Sequence, residues 1–303
     1  MKRFVLKLSF IALAFAGGSF ALAAEPDAKP ARPAPPAVVE AVQMPAWVER
    51  DGGKIPLSPG MVLKNGDQLR TGANSRLLLR TADGSGVKLG EKATLLIDNM
   101  RMRRDNVFEA AMKVGEGAFR FTTELLAKYR GRREIRINVA TVTAGIRGTD
   151  LWGKSAPDKQ IVCLIEGIID VTPPGESAIP MDKPLSFFVR EKGVSQPIAP
   201  VPAEQLKQWA TETDTQAGQG VSRRGGKWKV TLASPASQSD ALDLYQVMRE
   251  AGYAAEIFPG KAGEKRVYSV RLSNFASKKD AETVAMLLKR QGRLGEYDPR
   301  VGT

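Results

Sequence analysis

The sequence predicts a multidomain chain: an all-β domain of sandwich or roll type, followed by an α+β domain of order βαββαβ. Three observations predict it. Residues 47–190 show short alternating apolar stretches punctuated by glycine, with little helical periodicity. Residues 227–300 repeat themselves at a spacing of forty. Two stretches unable to build a core, 24–45 and 196–226, separate the parts that can, 46–195 and 227–300.

In chain order, the first element is an export signal. Met1, Lys2, Arg3 and Lys7 form a basic start, an apolar run follows from Leu8 to Ala16, and Ala21-Leu22-Ala23 fits an A-x-A cleavage site. Residues 1–23 are therefore expected to be a signal peptide cut after Ala23, with an uncleaved anchor as the alternative. The run is broken by Gly17-Gly18, whereas a span needs about 20 apolar residues. Residues 24–45 carry Pro26, Pro30, Pro33, Pro35 and Pro36 and read as a semi-extended tether.

In the β domain, strands are expected at Ser75–Arg80, Gly86–Leu89, Ala93–Ile97, Ala118–Phe121, Ile135–Val139, Gln160–Glu166 and Ile168–Val171. Turn signals at Asn65-Gly66-Asp67 and Ala82-Asp83-Gly84 separate them. A short helix is expected at Thr122–Arg130. A β-helix-like stack is the alternative architecture. Cys163, inside an apolar run, reads as a buried strand residue. The linker 196–226 begins with Pro197, Pro200 and Pro202 and admits one short helix, Ala203–Ala210.

The last domain is two copies of one unit. Val230-Thr231-Leu232 is echoed by Val270-Arg271-Leu272, Asp240-Ala241 by Asp280-Ala281, and Gly252 by Gly292. Each copy has an alternating strand, a capping box (Ser237-x-x-Asp240, Ser277-x-x-Asp280), an apolar helical stripe and a stop glycine. Strands are expected to follow the helices at Tyr253–Phe258 and Leu294–Pro299. The outcome is a four-stranded antiparallel sheet with two helices on one face. Alternation puts Lys229, Thr231, Ala233, Ser269 and Arg271 on the open face, and Trp228 and Tyr268 toward the helices.

Composition narrows the chemistry. The 303 residues contain no histidine and one cysteine, with 45 Lys+Arg against 33 Asp+Glu for a net charge of +12. Histidine-based triads, His-ligated metals, internal disulfides and thiolate clusters are thereby excluded. No cofactor is expected, and no carboxylate pair sits in a recognisable catalytic motif. The charge is distributed: 24 basic against 18 acidic residues in 46–195, and 13 against 9 from residue 227 onward. A basic, exported chain points to an anionic polymer outside the cytoplasm, not to nucleic acid. Residues 101–136, with ten basic and five acidic residues, read as a solvated surface or as a contact for anionic polymer or an acidic partner.

The runs Val230-Thr231-Leu232-Ala233-Ser234-Pro235 and Tyr268-Ser269-Val270-Arg271-Leu272-Ser273-Asn274-Phe275 resemble those of SPOR (sporulation-related repeat) modules, across about 75 residues. The sequence departs from that family at Thr231, where Gln is usual, and at Ser269, where Arg is usual. The resemblance implies peptidoglycan binding, particularly to glycan strands stripped of peptides. The residues implied are Lys229 and Arg271 for carboxylates, and Thr231, Ser234, Ser269 and Asn274 for sugar hydroxyls. Ordinary strand or turn roles are the competing reading for Thr231, Ser234 and Asn274, and a merely solvated face for Lys229 and Arg271. RNA-binding domains share this βαββαβ order but stack bases on sheet aromatics, and here the central strand offers Ser269 and Arg271.

In the β domain, three runs resemble a FecR-type periplasmic domain: Gly66 to Ser75, Asp83-Gly84-Ser85 with Lys88-Leu89-Gly90, and Val139 to Asp150 followed by Leu164 to Gly167. The Arg147-Gly148-Thr149-Asp150 segment reads as a turn held by a local ion pair. Together the resemblances imply a non-enzymatic periplasmic envelope protein at the division septum, with peptidoglycan glycan strands as its partner and no transmembrane span after signal cleavage. One alternative is a signalling or scaffold protein whose FecR-type domain binds an envelope protein, with the SPOR module only as anchor. Another is a wall-cleaving enzyme using Asp and Glu.

Overall fold

A computed structural model describes residues 35–123, 131–146 and 148–303. The export signal, the helix expected at Thr122–Arg130 beyond Thr123, and Arg147 lie outside the described residues. The β domain runs β1 (Ala37–Gln43), β2 (Ala46–Arg50), β3 (Gly53–Pro56), β4 (Val62–Leu63), β5 (Gln68–Thr71), β6 (Arg76–Thr81), β7 (Gly86–Leu89) and β8 (Thr94–Met102). It continues with β9 (Val107–Thr122), β10 (Arg132–Val139), β11 (Val142–Ile146), β12 (Asp150–Ala156), β13 (Lys159–Glu166), β14 (Ile169–Thr172), β15 (Ile179–Met181) and β16 (Ser186–Glu191).

These strands form two packed sheets, a sandwich as expected. One has the order β3-β2-β5-β8-β9-β10-β11-β14-β15, in which β9 and β10 run parallel. The other has the order β16-β13-β12-β9-β7-β6-β1. Strand β9 belongs to both sheets. It switches at Gly117, whose φ is +83° and where an added Cβ would lie 2.5 Å from the Ala93 Cα. Leu69, Leu77, Leu79, Leu95, Phe119 and Phe121 are buried between the layers because alternation points them inward.

After β17 (Val194–Ser195) the linker segment is itself structured, with β18 (Ala199–Pro200), α1 (Ala203–Thr213) and β19 (Val221–Arg223). Helix α1 lies against the outer side of the second sheet. Trp209 stacks on Trp152 with ring centroids 4.5 Å apart, and Phe187 meets Trp209 edge-on at 5.8 Å. Its C-terminal end is held by Lys88–Asp214 (2.5 Å) and Lys154–Glu212 (2.8 Å) ion pairs. Cys163 is fully buried in this cluster, and burial pushes its thiol up to about 12. We expect no labelling of native Cys163 by a thiol reagent at pH 8, and full labelling after denaturation. The unfolded thiol ionises from near 9.0 and the folded one only near 12. The contribution of Cys163 to stability is therefore complete below that window and lost as pH rises through it.

The C-terminal domain comprises β20 (Trp228–Ala233), α2 (Gln238–Glu250), β21 (Glu256–Ala262), β22 (Lys265–Phe275), α3 (Lys278–Arg290) and β23 (Arg300–Gly302). The sheet order is β21-β22-β20-β23, antiparallel throughout, with both helices on one face. Both helices begin at the expected caps: Ser237 Oγ accepts from the Asp240 N–H and Ser277 Oγ from the Asp280 N–H. The strands after the helices start later than expected. Tyr253 and Leu294, each 2% exposed, are buried residues just past the stop glycines, where Tyr253 N–H reaches back to the Met248 carbonyl and Arg293 N–H to that of Leu288.

Strand β19 joins the domains. It pairs with β1 on one side and, through Ser222 and Phe275, with β22 on the other. The Ala46 N–H donates to the Gly252 carbonyl, and Gly252 sits so close to Trp47 that an added Cβ would lie 2.6 Å from its ring. Residues 34–303 thus form one compact unit.

Candidate functional site

The open face of the C-terminal sheet is built from one row of residues across four strands. Glu256 on β21 faces Arg271 on β22, which faces Thr231 on β20, which faces Arg300 on β23. Beside this row, Phe258 faces Ser269. The Arg271 guanidinium lies over the Phe258 ring, 4.9 Å from its centroid, and its Nε is buried without a hydrogen-bond partner. Among the described residues no carboxylate pairs with Lys229, Arg271 or Arg300. The face therefore offers three cations held in no ion pair, with Glu256 as the carboxylate residue opposite Arg271, together with an aromatic edge that is 38% exposed.

The six candidate residues fall into separate groups. Arg271 and Thr231 are direct partners at the centre. Ser234 and Ser269 bond each other, Oγ to Oγ at 2.9 Å, and Ser269 is 7% exposed. Lys229 is half-buried opposite Gly302. Asn274 is exposed at the far end of β22, in a left-handed conformation (φ +67°) beside Gly226, apart from the serine pair.

Ala233 was expected on the open face and is instead 5% exposed on the helix side. A bulge between Thr231 and Ala233 shifts the register, so that Ala233 pairs with buried Val270. Trp228, beyond a second bulge, is only partly buried. Sequence reasoning missed Phe258 and Arg300. The alternation of Glu256 and Phe258 about Ile257 was a usable signal for the first; the late start of β23 hid the second.

The polar residues of the three motifs in the β domain are clamps within the sandwich. Asp67, 1% exposed, takes a bidentate pair from Arg50 (2.7 and 2.6 Å) and a bond from the Lys64 N–H. Its bond holds the Arg50 guanidinium above the usual range. Asp83, also 1% exposed, accepts from Thr81, Ser85 and Arg133. Asp150 is gripped by Arg120 at 2.9 and 2.6 Å, so its partner comes from β9 across the sheet. Among the described residues, no group of three or more Cys, Asp or Glu is placed to hold a metal ion.

The described residues thus form an open-faced βαββαβ module seated on a β-sandwich. Family models agree: residues 67–170 match that of FecR protein and residues 225–297 that of the SPOR domain. The chain combines a FecR domain with a C-terminal SPOR domain. Two crystal structures of a candidate anti-sigma factor from Parabacteroides distasonis are similar at 13% and 14% identity, with TM-scores of 0.39 and 0.38. Each alignment covers 74% of this chain, and 90% and 91% of the other. No curated protein matches the chain. The SPOR domain points to peptidoglycan binding, the FecR domain to protein interaction, and the pair to the cell envelope. Among the described residues no helix is long and apolar enough to cross a membrane.

Proposed function

We propose that this is a non-catalytic, exported periplasmic protein that binds peptide-stripped glycan strands through the open SPOR sheet, and that it acts at the division site. One observation carries the reading: Arg271, set over Phe258 between Glu256 and Thr231 and with Arg300 one strand further on, is a cation on an open face that makes no ion pair among the described residues. Removing the peptides from a glycan strand leaves lactyl carboxylates beside sugar hydroxyls. A preorganised guanidinium suits the former, and Thr231, Ser234 and Asn274 suit the latter. The docked FecR domain serves as a rigid body presenting an interaction surface for an envelope partner.

Pull-down of the full chain with amidase-treated sacculi is expected to exceed that with untreated sacculi. Arg271→Ala is expected to weaken it by about tenfold, the loss of a charge-assisted hydrogen bond. Equal recovery on both kinds of sacculi would sink the glycan reading. Release of soluble muropeptides by the pure protein would overturn the non-catalytic one. A fluorescent fusion exported to the periplasm is expected at the septum, and an even distribution would remove the division-site part.

A further inference from the structure

A second site lies where the SPOR domain meets the FecR domain. There a cleft of about 530 Å³ opens between the Met44-Pro45 turn and α3. That volume is in the range of about 300–1,000 Å³ that holds small ligands. Its wall contains no Asp or Glu, but two guanidinium side chains, Arg290 and Arg293. Among the described residues neither pairs with a carboxylate; Arg293 makes only a local bond to Gln291, at 3.0 Å.

Tyr253 lines the same cleft. The residue is 2% exposed, and among the described residues its hydroxyl makes no hydrogen bond. The ring is buried while its hydroxyl oxygen stays accessible at the cleft wall, where it can meet a ligand. Burial raises its pKa while the nearby Arg293 charge opposes the rise, which places that guanidinium within electrostatic reach of the ring. On the other side, Pro45, Met286 and Leu287 give an apolar wall, and Met286 is 67% exposed.

We infer that this interdomain cleft binds the carboxylate end of a short peptide, with Arg290, Arg293 and the Tyr253 hydroxyl on the carboxylate and a small apolar side chain against Met286 and Pro45. Two guanidinia and one O–H supply the donors that a carboxylate accepts, and the absence of acidic groups from the wall leaves no internal competitor. The site is distinct from the open sheet face and shares no residue with it.

Calorimetric titration of the full chain with the dipeptide Ala-Ala tests this, as free acid and as C-terminal amide, in L,L and D,D forms. The free acid is expected to bind with a Kd of about 1 mM or below. The amide is expected to bind about tenfold more weakly, as is the free acid to the Arg290→Ala/Arg293→Ala variant. Both arginines are exposed, so that variant should keep its melting temperature. Preference for the D,D form assigns the carboxylate to wall peptides, and preference for L,L to a protein C-terminus; either supports the site. Equal binding of acid and amide, unchanged binding by the double variant, or no saturation would overturn it. Arg271→Ala should leave this binding unchanged, so its result stands apart from that of the glycan reading.

Discussion

Asp280→Ala is expected to destabilise the protein by about 3–5 kcal/mol, read as a lowered midpoint of urea unfolding. The side chain is 1% exposed and bonded at both oxygens. Oδ1 accepts from the Gly220 and Val221 N–H groups, each at 3.0 Å, and Oδ2 accepts from the Ser277 hydroxyl at 2.5 Å. Truncation leaves two buried amides without a partner, each costing about 1–3 kcal/mol, and weakens the start of α3 as well. Those amides open β19, the strand shared by β1 and β22, so exchange protection at Val221–Arg223 should fall together with stability. Asp280→Asn keeps a carbonyl oxygen for both N–H groups and should lose less than half as much stability as the alanine variant. A change below about 1 kcal/mol for the alanine variant would show that water replaces the carboxylate at no cost.

The same residue shows where the sequence is readable. Ser277-x-x-Asp280 announces a cap, and the Ser277 cap is present. Nothing local announces that the carboxylate also reaches Gly220, sixty residues away. The forty-residue repeat was legible because both halves use the same cap, stripe and glycine. Strand β1 was not, since its Ala37–Gln43 alternation follows directly on a run of prolines. The open face was legible at Arg271 and Thr231, where alternation holds. It failed at Ala233, because a bulge changes the face without changing any residue type. Phe258 became part of the site only through the pairing of β21 with β22, a long-range choice that spacing does not encode.

Asp150→Asn is the second large effect, expected to cost about 3 kcal/mol, at the low end of the range for breaking a mostly buried ion pair. Arg120 and Asp150 are 21% and 14% exposed, so solvent screens them only partly. Their contact is bidentate, and the Thr122 hydroxyl adds a bond to Asp150 Oδ1 at 3.2 Å. The bond from Asp150 outweighs desolvation and holds the Arg120 guanidinium above the usual range. An amide in place of the carboxylate leaves that cation facing a neutral group beneath α1. Asp214, which Arg120 also senses, offsets only part of the loss. If the cost comes from the uncompensated charge, removing the charge should relieve it: Arg120→Met/Asp150→Asn should be more stable than Asp150→Asn alone. Additive losses in that cycle would instead assign the effect to packing at the β9–β12 pairing. Relief would establish that the aspartate ending the Gly148-Thr149-Asp150 run acts as a clamp between β9 and β12, holding the sandwich through charge.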